Sequence, residues 1–314
     1  MREKSQRHIA ARQLAVSLAV CLSASVHGEE PDAAGGSNSW SAELRAGGEY
    51  DTNVSVDELD ASSERSDYAA LLEGQVEFQR EFGNGAEFSA GYDVSQTFYD
   101  EFSELDRLTH ILSTDLKGEW AGTDIGLSYH YVDSNLDGDD FLGMNRVSPY
   151  ASTFLTRRLF ARLAYVFSDK DIEERPDRDA DTDAGEVDFY WFRRGLRSYF
   201  NLGYRYKDED ASADRFDYKS NSFKLRYVHR FPLLDRLAKV ELAWRFEDRD
   251  YSSPTPSIGE DRSDDRHRLE AELEIPVMED AAIVIYGKYN DYESNLPRAD
   301  YDQTIVGTQF VYRW

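Results

Sequence analysis

Charged side chains in this sequence recur at every second position, inside stretches whose other positions are apolar. Glu43 and Arg45, Glu73 and Glu77, and Glu87 and Asp93 recur this way early on; Arg205, Lys207, Lys224, Arg226 and Arg230 do so later. Successive side chains of a strand point to opposite faces, so the charges share one face and the apolar residues take the other. Around a wet interior, early acids and late bases would create a transverse field that orients and selects small solutes. The competing arrangement is local pairing across neighbouring strands, which fills the interior. Arg45 beside Glu43, and Lys239 and Arg245 around Glu241, favour that arrangement.

Two acidic stretches have the spacing of a hard-cation site. Asp133, Asn135 and Asp137, followed by Gly138, reproduce the alternating oxygens and the glycine that open an EF-hand loop. Met144 stands where the bidentate Glu would be. Asp177, Asp179, Asp181 and Asp183 alternate further on. Calcium or magnesium is the cation such spacing implies, and no other cofactor is expected. Catalysis has no carrier: there is no Gly-x-Ser-x-Gly, no His-Glu-x-x-His and no phosphate loop. His110 and His229 fall in the apolar phase and His130 in the charged phase.

The elements that must position these residues are strands. Trp40, Ala42, Leu44, Ala46 and Tyr50 alternate with Ser41, Glu43, Arg45 and Glu49, and the period of two then persists to the end of the chain. Only residues 144–155 are ambiguous in phase, because Pro149 interrupts them. Gly83-Asn84-Gly85 marks a tight hairpin turn. Fourteen strands in seven hairpins result. Short connections fall near 83–85, 121–123, 156–158, 194–196, 231–236 and 276–280. Longer acidic ones fall at 51–66, 100–106, 133–140, 169–183, 208–215, 248–265 and 290–301.

Residues 1–28 read as a secretory signal: Arg2, Lys4, Arg7 and Arg12 precede a short apolar run containing Cys21, the sole cysteine, and Val26-His27-Gly28 precedes the cut. Residues 29–39 form a polar, disordered lead-in to a barrel over 40–314. The 314-residue chain has a formal net charge of −25. Without the signal, 32 bases face 60 acids, or −28. Nucleic acid is excluded as a partner for such a surface. Twenty Tyr and five Trp argue against an ordinary soluble acidic protein, since barrels place aromatics in interfacial girdles and hide their membrane signal by alternation.

The last stretch decides between architectures. Val306, Thr308, Phe310, Tyr312 and Trp314 share one face of a strand that ends the chain. An unpaired apolar edge invites aggregation in a soluble domain; in a barrel, closure pairs the last strand with the first. Phe310, Tyr312 and Trp314 resemble the C-terminal signature of bacterial outer-membrane β-barrels, which implies recognition by the barrel-assembly machinery. The expectation is an all-β, fourteen-stranded antiparallel transmembrane barrel in the cell outer membrane. It would have both termini in the periplasm, short periplasmic turns and long acidic extracellular loops against lipid and lipopolysaccharide.

Two further stretches carry a narrower resemblance. Gly47 to Val54, reading Gly-Gly-Glu-Tyr-Asp-Thr-Asn-Val, and Tyr292-Glu293-Ser294-Asn295 with Tyr301-Asp302, resemble the two ends of barrels in surface lipoprotein assembly modifiers of the Slam type and related uncharacterised barrels. That resemblance implies a channel or translocation pore with a lipoprotein or polysaccharide client. Slam-type proteins carry a helical-repeat domain before the barrel, and only residues 29–39 stand in that place here. The alternative function is a non-conducting structural or adhesive barrel displaying acidic loops. If the pore is open, the acidic outer mouth would favour cations, opposed deeper in by the basic sector.

Overall fold

The structure, a computed structural model, describes residues 36–173, 175–233 and 235–314. The expected signal, 1–28, and most of the lead-in lie outside the described residues. Fourteen antiparallel strands close into one barrel. They are β1 (Ser37–Asp51), β4 (Asp67–Glu81), β5 (Glu87–Tyr99), β6 (Arg107–Trp120), β7 (Thr123–Leu136), β8 (Asp139–Thr156), β9 (Leu159–Ile172), β10 (Ala180–Phe192), β11 (Ser198–Ala211), β12 (Tyr218–Leu233), β13 (Arg236–Thr255), β14 (Glu260–Pro276), β15 (Ala281–Ser294) and β16 (Tyr301–Arg313). Two short strands, β2 (Ser55–Val56) and β3 (Ala61–Ser62), pair inside the first long connection, which we call L1 (residues 52–66).

Each strand pairs with its sequence neighbours, and β1 pairs with β16 to close the ring. The seam extends to the last residue, where Trp314 N–H donates to the Ala42 carbonyl at 3.0 Å. Closure leaves no edge, so each lipid-side backbone group has a neighbour to bond. Pro149 lies within β8. Pairing to β9 lapses around it and resumes in the same register, Val147 opposite Phe167 and Tyr150 opposite Ala164.

The outer surface carries the apolar phase. Leu72, Leu112, Leu127, Leu163, Leu202, Leu242, Leu269 and Ile285 are exposed on it. Trp40, Trp120, Phe154, Trp191 and Trp314 cluster toward the short-turn end, and Tyr68, Tyr131, Tyr165, Tyr206 and Tyr289 toward the other. This is an apolar band between two aromatic girdles, the pattern of a barrel in lipid.

The connections depart from expectation. Residues 133–140 are no loop: Asp137 and Gly138 alone turn the chain, with φ of 54° and 83°. Two consecutive positive φ values make the primed turn that matches strand twist, so the strands run right up to it. β13 and β14 likewise extend to Thr255 and Glu260, well inside the 248–265 stretch expected to be loop. Many acids assigned to loops therefore stand on strand ends instead.

Candidate functional site

L1 folds into the barrel because its sequence has an apolar side and an acidic side. Val56, Leu59 and Ala61 bury against Val132, Leu136, Phe141, Leu142 and Ile172 of the β7–β9 wall. Val54 packs on Phe102 and Leu105. A short helical turn, Asp57–Leu59, ends at Asp60 in a left-handed conformation, φ 51°. Asp and Asn tolerate that region better than most residues.

The acidic side meets arginines from β14 and from the segment that follows β9. Asp60 accepts hydrogen bonds from Arg262 at 2.8 Å on both oxygens, from Arg178 at 2.8 Å and from Arg266 at 3.4 Å. Asp264 braces Arg262 and Arg266 from behind, at 2.7 and 3.0 Å. Arg178 also donates to the Glu58 carbonyl at 2.7 Å. Asp57 accepts from Arg268 and Tyr292 at 3.2 Å and from Tyr301 at 3.0 Å. Burial alone would raise the Asp60 carboxyl, but Arg262, then Arg178 and Arg266, outweigh it and hold it well below the usual range. Glu58 goes the other way: burial pushes its carboxyl up to about 8, against the pull of Arg107.

The two stretches singled out at opposite ends of the sequence meet here. Gly47 sits where a β-carbon would lie 2.0 Å from the Thr308 carbonyl oxygen, so only glycine lets β1 and β16 close. Glu49 accepts from Tyr286 at 2.7 Å, Asp51 from Gln303 at 2.5 Å, and Asn53 donates to the Asp302 carbonyl at 3.0 Å. Ser294 braces Asp264 at 2.6 Å. The motifs build the seam and the root of L1.

Below L1 lies a cavity of about 310 Å³. Ten Arg and Lys side chains line it against seven Asp and Glu. Most are paired: Lys224 with Asp188 at 2.7 Å, Lys170 and Lys207 with Glu209 at 2.7 and 2.9 Å, Arg146 with Glu186 at 3.2 Å, and Arg249 with Glu247 at 3.0 Å. A β-carbon at Gly203 would lie 2.8 Å from both Asp188 and Lys224, so that glycine makes room for their pair.

The charged residues expected in the lumen separate into groups. Arg205, Lys207 and Lys224 line the cavity. Glu43 and Arg45 pair at 2.5 Å toward the short-turn end, where Arg313 reaches Glu43 at 2.7 Å and Glu274 at 2.8 Å. Glu87 pairs with Lys117 at 3.0 Å and Arg226 with Glu241 at 2.5 Å. Arg230, near the end of β12, donates to the Leu196 carbonyl in the β10–β11 turn at 2.5 Å. Glu73 is buried in the β4 wall, with Glu77 and Asp93 in the same lumen phase. These wall pairs form within one strand, between neighbouring strands or one strand further on, as Lys224 of β12 with Asp188 of β10, rather than across the lumen.

The acidic stretches with cation spacing do not converge. Asp133 and Asn135 share the outer face of β7, and Asn135 donates to Asp140 at 2.9 Å. Asp177 pairs with Arg175 and Arg215 at 3.1 and 2.5 Å, and the hydrogen bond from Arg175 leads in holding its carboxyl below the ordinary range. Asp179 accepts the Ile172 N–H at 2.7 Å, and Asp183 accepts from the Tyr165 hydroxyl. Asp181 and Asp183 point outward from β10. Among the described residues, no three His, Cys, Asp or Glu side chains come together as a metal site.

Asp57, Asp60, Arg178, Arg262, Arg266 and Arg268 were not singled out from sequence. Arg262-x-Asp264-x-Arg266-x-Arg268 is a period-two signal, masked by assigning 248–265 to a loop.

The sequence matches no protein-family model and no curated protein. Solved structures do resemble it. The anion-selective porin from Comamonas acidovorans aligns with a TM-score of 0.53 at 9% identity, over 89% of this chain and 100% of that one. The outer-membrane expressed OmpT of Vibrio cholerae aligns at 0.51 and 8% identity, over 91% and 100%. The fold is that of an outer-membrane β-barrel. At such identities the likeness concerns the fold alone.

Proposed function

We propose that the protein is an outer-membrane channel for small solutes, with both termini in the periplasm and L1 as its constriction. One observation carries this: L1 is clamped inside the barrel by Asp60 and its three arginines, beside a cavity lined by ten bases against seven acids. Local ion pairs fill much of the interior, but they leave a cavity of about 310 Å³ lined by charged side chains, and that space suits solute passage. With the bases in the majority at the constriction, anion preference replaces the cation preference expected from the acidic mouth. Opposed outward carboxylates, Asp181 facing Asp169 and Asp210 across the strands, suit divalent cations and the phosphates of lipopolysaccharide. Phe310, Tyr312 and Trp314 would serve the assembly machinery.

The Slam-type alternative, lipoprotein translocation, has its two motifs engaged in seam and loop anchoring, a role any barrel of this shape would need. Planar-bilayer recording of the purified protein tests the main reading. Discrete anion-preferring steps that enlarge when residues 55–62 are replaced by a short Gly-Ser link are expected. Silence from both proteins would favour the non-conducting barrel.

A further inference from the structure

Lys224, Arg245 and Arg268 lie directly opposite one another on β12, β13 and β14, all on the lumen face. Adjacent strands are about 4.8 Å apart, and like charges set side by side at that spacing repel. The outer two are compensated, Lys224 by Asp188 at 2.7 Å and Arg268 by Asp57 at 3.2 Å. Arg245, between them, has no ion pair or hydrogen bond to an acid among the described residues. Glu247 and Glu270 are the acids facing it, and Arg205 a further base; Glu247 is engaged by Arg249 at 3.0 Å. Arg245, Lys224, Arg268 and Asp57 line both the 310 Å³ cavity and a second one of about 60 Å³. The guanidinium, facing Glu270 but in no ion pair among the described residues, thus stands where two cavities meet.

We infer that Arg245 is the centre of a binding site for a small oxyanion, carboxylate or phosphate, flanked by Lys224 and Arg268. This deepens the channel reading and rests on it. A planar guanidinium matches a carboxylate through two parallel N–H···O bonds, which an ammonium cannot do. A carboxylate seated there neutralises the middle of the row and leaves the flanking ion pairs intact. The cavity volume is within the range of small-molecule pockets, about 300–1,000 Å³. The site lies directly beside Asp57, so L1 borders the bound solute.

The test is calorimetric titration of the full-length, detergent-folded barrel with succinate, inorganic phosphate and glucose in turn, which needs no conduction. Succinate and phosphate are both expected to bind saturably, with affinity falling as salt rises, and glucose not at all. Arg245→Gln should weaken succinate at least tenfold, and Arg245→Lys, which keeps charge but loses the fork, should fall between. Heat-modifiability on gels confirms each variant is folded. Unchanged succinate affinity in Arg245→Gln, no oxyanion binding by the wild type, or glucose binding as tightly as succinate would each overturn the site. Binding without conductance in bilayers would instead overturn the channel reading and spare the site.

Discussion

Arg262 places two guanidinium nitrogens 2.8 Å from the two oxygens of Asp60, a residue 202 positions earlier in the chain. Both side chains are almost fully buried. The pair is bidentate, shielded from salt and braced by Asp264, so it is the strongest single tie between L1 and the wall.

Asp60→Asn keeps the side-chain shape and removes the charge. Breaking a buried ion pair from one side costs about 3–5 kcal/mol, here subtracted from L1 docking. Larger conductance and new protease cleavage within residues 52–66 are expected, with the barrel still folded on gels. Wild-type conductance and protection together would mean that the apolar contacts hold L1 by themselves.

L1 docking should weaken as pH rises. Asp60, depressed by its arginines, contributes above its undocked value, about 3.9, and loses that contribution only as pH falls through its much lower docked value. Glu58 has the opposite sign. Undocked, it ionises near 4.3; docked, it holds its proton to about 8. Its penalty therefore grows between those values and is constant above. Open-channel noise should rise between about pH 5 and about pH 8, then level off, and Glu58→Gln should flatten the curve. A pH response that survives in Glu58→Gln would assign it elsewhere.

Gly47→Ala should fail at closure. The new β-carbon would meet backbone, the Thr308 oxygen at 2.0 Å and the Gln309 Cα at 2.7 Å, which no rotamer change relieves. Loss of the heat-modifiable form is expected, whereas Gly118→Ala, with nothing near its β-carbon, should fold normally. Equal folding of the two variants would contradict the close approach.

Removing Trp314 separates assembly from stability. Its backbone bonds Ala42 and its ring packs edge-on to Tyr312, 4.6 Å between centroids, yet the indole is exposed on the outer face. Insertion in cells should drop several-fold, while refolding into detergent proceeds. Equal loss in both settings would make the residue structural only.

The barrel was legible in the sequence because period two and turn chemistry are local. Strand number, hairpin order and the lumen phase of residues such as Lys224 follow from them. L1 was not legible. Its docking joins Asp60 to Arg178, Arg262 and Arg266; Arg262 and Arg266 keep the period of two, but nothing local pairs them with a residue about 200 positions earlier. The acids were misplaced for a related reason: Asp133 and Asp248 read as loop by composition, but a two-residue turn and strand pairing keep the chain extended past them. Neither ion pairing nor cavity position marks Arg245 in the sequence, since both depend on register between β12, β13 and β14.

The position of L1's anchors also fixes an order of events. L1 follows β1 directly, but its clamp is built from the segment after β9 and from β14, and its root from β16. An early part of the chain must wait, tethered and acidic, until nearly the whole ring exists. Docking thus makes L1 a clock for completion: a barrel stalled short of β14 lacks Arg262 and Arg266, two of the three arginines that clamp Asp60.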